Sequence, residues 1–116
     1  MRVQSAKSKG RRLQQFVRDA FLKFASMLEP DDIRSTAMGQ SGEDILMSPA
    51  ARKVYPYSIE CKNVEKLSIW RAIDQAEENA GDYTPMVVFK KNHREAYVAI
   101  PFNKFMELVH GQEDSN

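Results

Sequence analysis

Nowhere in these 116 residues does an apolar run approach the roughly 18 to 20 residues of a membrane-spanning helix. The N-terminus also has no apolar segment of the kind that directs secretion, so a protein that stays in the cytoplasm where it is made is the expectation. Cysteine is nearly missing. Cys61 stands alone, which excludes an internal disulfide and a thiolate metal cluster and suits a reducing compartment. Five glycines and five prolines are too few for a fibrous or low-complexity chain, and no internal repeat is present. Acids are absent from the first twelve residues, which carry Arg2, Lys7, Lys9, Arg11 and Arg12. Such a basic arm favours a polyanionic partner, although a solvated, partly disordered terminus is an equally open reading.

What is present is the balance of a globular domain: 42% hydrophobic and 28% charged residues, with a net charge of +1. The length suffices for one hydrophobic core and not for two. One domain over residues 1–116 is expected, with a basic arm at about 1–8 and a flexible tail at about 111–116.

Apolar residues at Leu13, Phe16, Val17, Ala20, Phe21, Phe24 and Leu28 recur at spacings of three and four, predicting an amphipathic helix over Ser8 to Leu28 that Pro30 stops. Ile33 to Ala37 and Ile45 to Met47 read as short strands separated by the turn Gly39-Gln40-Ser41-Gly42. Ser48-Pro49 begins an irregular segment lasting to Pro56. Tyr57 to Lys62 reads as a third strand. A second helix is predicted over Ser68 to Asn79, where Ser68 can cap the N-terminus, Gly81 closes the run and Ile69, Ile73, Ala76 and Ala80 form an apolar stripe. Strands from Met86 to Lys90 and from Glu95 to Ile100 flank a polar turn, and a helix follows from Pro101 through Val109. Helices before and after a short sheet imply an α/β sandwich whose central mixed sheet is covered on both faces.

Within the third strand, Glu60 and Lys62 are two residues apart and project from one face, while Ile59 and Cys61 project from the other. An exposed E-x-K pair contributes little and is common. Asp44 adds a second carboxylate at the start of a neighbouring strand, and two carboxylates held together repel unless a cation sits between them. Mg²⁺ is commonly held by one or two carboxylates, water and a substrate phosphate. A lysine beside it can orient water or offset charge that develops in the transition state. Asp44, Glu60 and Lys62 therefore suffice for metal-dependent phosphodiester cleavage, with structural coincidence as the competing account.

Lys9-Gly10, Arg34, Ser41-Gly42, Asp44-Ile45 and Ile59-Glu60-Cys61-Lys62, followed by a helix carrying Gln75, resemble the PD-(D/E)XK nuclease superfamily. Within it, the closest likeness is to the archaeal-type and phage Holliday junction resolvases. The resemblance covers roughly Lys9 to Val109. It implies a restriction-endonuclease-like αβββαβ core and a metal-dependent, structure-selective DNA endonuclease that resolves four-way junctions, in the host-cell cytoplasm if phage-encoded. It also implies that Asp44, Glu60 and the backbone carbonyl of Cys61 ligate Mg²⁺, for which Mn²⁺ can substitute, and that Lys62 is the catalytic lysine. Gln75 matches a helical glutamine aimed at the active site and Ser41 a serine near the scissile phosphate, with an ordinary exposed glutamine and a plain turn serine as the alternatives. The sequence departs from the pattern at Gln14, where the family usually has glutamate; an amide oxygen there can join a metal shell without adding charge.

Affinity for DNA would come from cations meeting phosphates, with Lys7, Lys9, Arg11, Arg12 and Arg34 as first candidates. Arg52 and Lys53, in a segment that could form a hairpin or short helix, come next. Two symmetric cuts imply a homodimer, for which Trp70, Phe102, Phe105 and Met106 are candidate interface residues, core packing being the alternative for each. A nicking or restriction-type nuclease and a non-catalytic nucleic-acid-binding relative are the competing functions.

Overall fold

The computed structural model describes residues 3–36 and 42–114. Helix α1 (Val3–Lys23) leads through a 3₁₀ turn (Pro30–Asp32) into strand β1 (Ile33–Ser35) and strand β2 (Ile45–Met47). A short helix α2 (Pro49–Val54), strand β3 (Tyr57–Asn63) and helix α3 (Ile69–Ala80) follow. The chain closes with β4 (Thr84–Lys90), β5 (Tyr97–Ala99) and α4 (Phe102–Asp114). Among the described residues no helix is long and apolar enough to cross a membrane.

The architecture is α/β with helices on both faces of a mixed three-stranded sheet of order β3-β4-β5, in which β3 and β4 are parallel and β4 and β5 antiparallel. The single central sheet expected from sequence is divided, because β1 and β2 form a separate antiparallel pair. Its link to β3 is the Asp44 backbone N–H, which donates to the Ile59 carbonyl at 3.1 Å. Pro85 lies inside β4, a residue before the expected start. It is tolerated because β5 covers only Val87 to Phe89, leaving the Pro85 side of β4 unpaired.

Side chains of β3 alternate between the α1 and α3 faces of the sheet. Ile59 and Cys61 join Leu13 and Val17 of α1 with Ile33, Ile45, Ala51 and Met86. On the opposite face, Ala72 and Ala76 of α3 pack on Val87 of β4. Helix α1 both begins and ends earlier than its apolar stripe suggests. Leu13 and Val17 are buried, whereas Phe16 and Phe24 are 61% and 81% exposed. Residues 3–8, in the expected basic arm, are helical, and helix α4 continues through Asp114.

The segment from Ser48 to Pro56, read as irregular with room for a hairpin or short helix, contains the short helix α2. Ser48 caps it by accepting the Ala51 N–H at 3.1 Å, and Pro49 supplies a first helical position that needs no donor. Ser48 also donates from Oγ to Asp32 Oδ1 at 2.6 Å, while Asp32 Oδ2 accepts the Glu29 N–H at 2.7 Å. These bonds to its ionised form hold Asp32 below the usual carboxylate range. One acid thus ties the turn before β1 to the start of α2.

Candidate active site

The strand–helix crossover β3-α3-β4 creates the site. Along β3 the α3-facing residues are Ser58, Glu60 and Lys62, and each is met by a residue of α3. Lys62 Nζ donates to Gln75 Oε1 at 2.9 Å, Asn79 Nδ2 donates to Glu60 Oε1 at 2.8 Å, and Ser58 Oγ donates to the Asn79 carbonyl at 3.3 Å. The match is one of repeat lengths. Four residues of helix rise about 6 Å, close to the roughly 6.6 Å of two strand residues. Gln75 and Asn79 therefore fall in step with Lys62 and Glu60.

Asp44 reaches the same strand from β2. Its Oδ2 accepts the Cys61 N–H at 2.7 Å, replacing the next rung of a ladder that its own N–H begins at Ile59. In an extended strand the N–H and C=O of one residue project from the same edge. The Cys61 carbonyl therefore leaves β3 on the side where Asp44 stands.

Glu60 is fully buried, and its Oε2 has no hydrogen-bond donor among the described residues. Burial pushes its carboxyl up to about 7. The negative charge of Asp44 nearby adds to the rise. Asn79 and the Lys62 ammonium oppose the rise and do not cancel it. Two carboxyls in this relation need a proton or a cation between them. Among the described residues no cluster of three or more His, Cys, Asp and Glu side chains forms, so side-chain ligation here rests on two acids. Two carboxylates and a peptide carbonyl form an all-oxygen donor set, of the kind that hard divalent cations accept.

The remaining candidates separate. Gln75 is exposed and holds Lys62. Gln14 is only 4% exposed, which excludes its being a surface residue. Ser41 lies outside the described residues. Lys7, Arg11, Arg12, Arg34 and Lys53 are exposed. Lys9 is not: it is 7% exposed, with Nζ 3.9 Å from Glu65 Oε2 and its backbone carbonyl accepting Asn63 Nδ2 at 3.3 Å.

Arg52, a candidate DNA contact, is engaged within the fold. Its Nη2 bonds both oxygens of Glu43 at 2.6 and 2.8 Å, and its Nη1 donates to the Tyr57 carbonyl at 2.6 Å. Its guanidinium also lies 4.3 Å from the Tyr83 ring centre. By fixing Glu43 to the start of β3, Arg52 sets the approach of Asp44 to that strand.

Sequence reasoning missed Asn79 and the Glu43–Arg52 pair. A signal for Asn79 existed in its position four residues after Gln75, on the same helix face. Nothing comparable marked Glu43, because residues nine apart across a turn and a short helix have no periodic relation. A scan of protein-family models, a search of curated proteins and a search of solved structures each return no match to this chain.

Proposed function

We propose that this protein is a Mg²⁺-dependent DNA endonuclease that cleaves phosphodiester bonds at branched DNA, with the four-way junction as its substrate. The observation that carries the reading is the meeting of Asp44 and Glu60 beside an oriented Lys62. Glu60 Oε2, buried without a donor, is accounted for by a cation ligand, and so is the crowding of its carboxyl by Asp44. The succession of one helix, short strands, the strand carrying Ile59 to Lys62, a crossover helix and a parallel strand agrees with the restriction-endonuclease-like core that the motif resemblance implies.

Asp44 Oδ, Glu60 Oε2 and the Cys61 carbonyl would hold the ion. When bound, it supplies charge neutralisation at the phosphate and acidifies water. The chain's own residues do the rest. The Cys61 N–H fixes the Asp44 carboxylate from one side, and Asn79 fixes Glu60 from the other. Gln75 accepts from Lys62 Nζ and so aims the ammonium, which orients the attacking water and offsets charge developing on the phosphate oxygens. Exposed Arg11, Arg12 and Arg34 provide sequence-independent attraction to the DNA backbone. A homodimer supplies the second cut; Trp70, Phe102 and Phe105, at 73%, 71% and 50% exposed, support that assembly.

The test is a labelled four-way junction and a matched linear duplex, incubated with the protein in Mg²⁺ or EDTA and mapped at nucleotide resolution. Paired symmetric nicks confined to the junction and dependent on Mg²⁺ are expected. Equal cutting of both substrates would make it a general nuclease, and binding without cutting would make it a non-catalytic relative.

A further inference from the structure

Lys62 begins a row of side chains that runs across the sheet. It stands opposite Phe89 in the β3/β4 register, and Phe89 stands opposite Tyr97 in the β4/β5 register. Residues directly opposite in a sheet share a face, and the contacts of Lys62 with Gln75 and of Phe89 with the Ala72–Ala76 cluster place that face under α3. The two rings are stacked, with centroids 6.3 Å apart and planes 29° apart, and Tyr97 is 53% exposed. Together with Leu67 and Ile69, where α3 begins, they line a cavity of about 230 Å³.

The slot lies at the carboxyl ends of the parallel strands β3 and β4, where open α/β sheets bind their ligands. Its walls are aromatic and aliphatic, and Lys90, Lys91 and Arg94 stand around them. Two acids, Glu65 and Glu95, also border it. Glu65 is engaged, since it accepts the Asn92 N–H at 2.7 Å and lies 3.9 Å from Lys9. The surplus at the rim is positive. The volume is below the roughly 300–1,000 Å³ of pockets for drug-sized ligands, which suits a single flat ring system.

We infer that this slot takes one unpaired nucleobase of the DNA strand, stacked on Tyr97 and Phe89, next to the phosphate engaged at Lys62. The inference rests on the nuclease reading above and adds the structural feature of DNA that is recognised. A flat apolar ring joined to an anionic backbone is the one substrate group that satisfies both the aromatic wall and the basic rim, and stacking on aromatic side chains tolerates any base. Bases inside a continuous duplex enter only by being unpaired and unstacked, whereas a base at a bulge or an interrupted stack leaves at lower cost. Selectivity for branched DNA follows without base-edge readout.

The experiment is done in EDTA, so that no cleavage is needed. DNA duplexes carrying the fluorescent base 2-aminopurine, either unpaired in a one-nucleotide bulge or paired, are titrated with the wild-type protein, Tyr97→Leu and Tyr97→Trp. Quenching of the unpaired probe and tighter binding of the bulged duplex are expected for wild type and Tyr97→Trp. Tyr97→Leu should lose the quenching and about tenfold of the affinity for the bulge, the scale of one stacked base, with affinity for the paired duplex unchanged. Tyr97 is half exposed, so the variant keeps the core. No quenching in wild type, or full quenching in Tyr97→Leu, overturns the inference. Mg²⁺-dependent cleavage is scored separately: cleavage without base capture sinks this inference alone, and base capture without cleavage sinks the catalytic reading alone.

Discussion

The two faces of β3 are built from alternate residues of one seven-residue strand, and they do opposite things. Facing α1, Ile59 and Cys61 contribute apolar surface to a closed core. Facing α3, Ser58 and Glu60 are just as inaccessible, yet each is polar and each is met by Asn79. Depth therefore does not distinguish them. The partner does: a helix that offers Leu13 and Val17 makes a core, and a helix that offers Asn79 and Gln75 makes a place for charge. Side-chain alternation lets one strand support both, with the apolar face fixing the strand so that the polar face keeps its geometry.

The sharpest break of the apolar face is Ile59→Ala. Removing a fully buried branched side chain should cost about 2–5 kcal/mol in chemical denaturation. A loss below about 1 kcal/mol would mean that the α1 face does not anchor the strand. On the polar face, Asp44→Asn and Glu60→Gln should each lower the cleavage rate by about 100- to 1,000-fold, the scale for removing a group that stabilises transition-state charge. DNA binding in EDTA should remain, because the exposed cations are untouched. Cleavage at the wild-type rate in either variant would remove these acids from the site.

The faces also differ in their response to pH. Glu60 holds its proton to about 7 in the folded chain, against an ordinary value of 4.5. Between those values the folded state keeps a proton that the unfolded state releases, so stability falls as pH rises from about 4.5 through about 7. The size is up to about 3 kcal/mol, from 1.36 kcal/mol per pKa unit. Unfolding curves in EDTA across that window should show the decline, and Glu60→Gln should flatten it. Mg²⁺ binds the ionised form, so its stabilising effect should grow with pH.

Arg52→Ala tests what sets the spacing between the faces. Breaking the pair with Glu43, whose side chains are 14% and 17% exposed, should cost about 1–3 kcal/mol in thermal or chemical unfolding. Retained stability would make the pair incidental. The smallest effect is expected for Gln75→Ala, which frees Lys62 and leaves its charge. A three- to tenfold loss in turnover, with unchanged stability, corresponds to the about 0.5–1.5 kcal/mol of one hydrogen bond. A change in binding instead of turnover would show that Gln75 touches DNA.

The sequence was legible where a local period carries the information. The placing of Glu60 and Lys62 on one face follows from strand alternation, and the order of elements from apolar spacing and turn residues. Legibility fails where long-range pairing decides. Nothing local says that β1 and β2 form their own sheet, or that Asp44 meets β3 through one backbone hydrogen bond and its side chain instead of a full strand ladder. Lys9 and Arg52 looked alike as cations on a polar background, and their pairing with Glu65 and Glu43 depends on contacts between distant parts of the chain. Helix ends were shifted where long-range contacts act: α1 stops at Lys23, well short of Pro30, and Arg18 holds the returning chain by donating to the carbonyls of Pro30 and Ile33 at 3.0 and 2.8 Å.

Cys61 gives the alternating strand one more consequence. Its backbone borders the candidate site, while its thiol points into the α1 core, buried and held by that burial well above the ordinary thiol range. It is also the sole sulfhydryl in the chain. An alkylating reagent can therefore react only in moments when the α1 core opens, so the labelling rate of the unaltered protein is a clock for that opening, read at the residue next to Glu60.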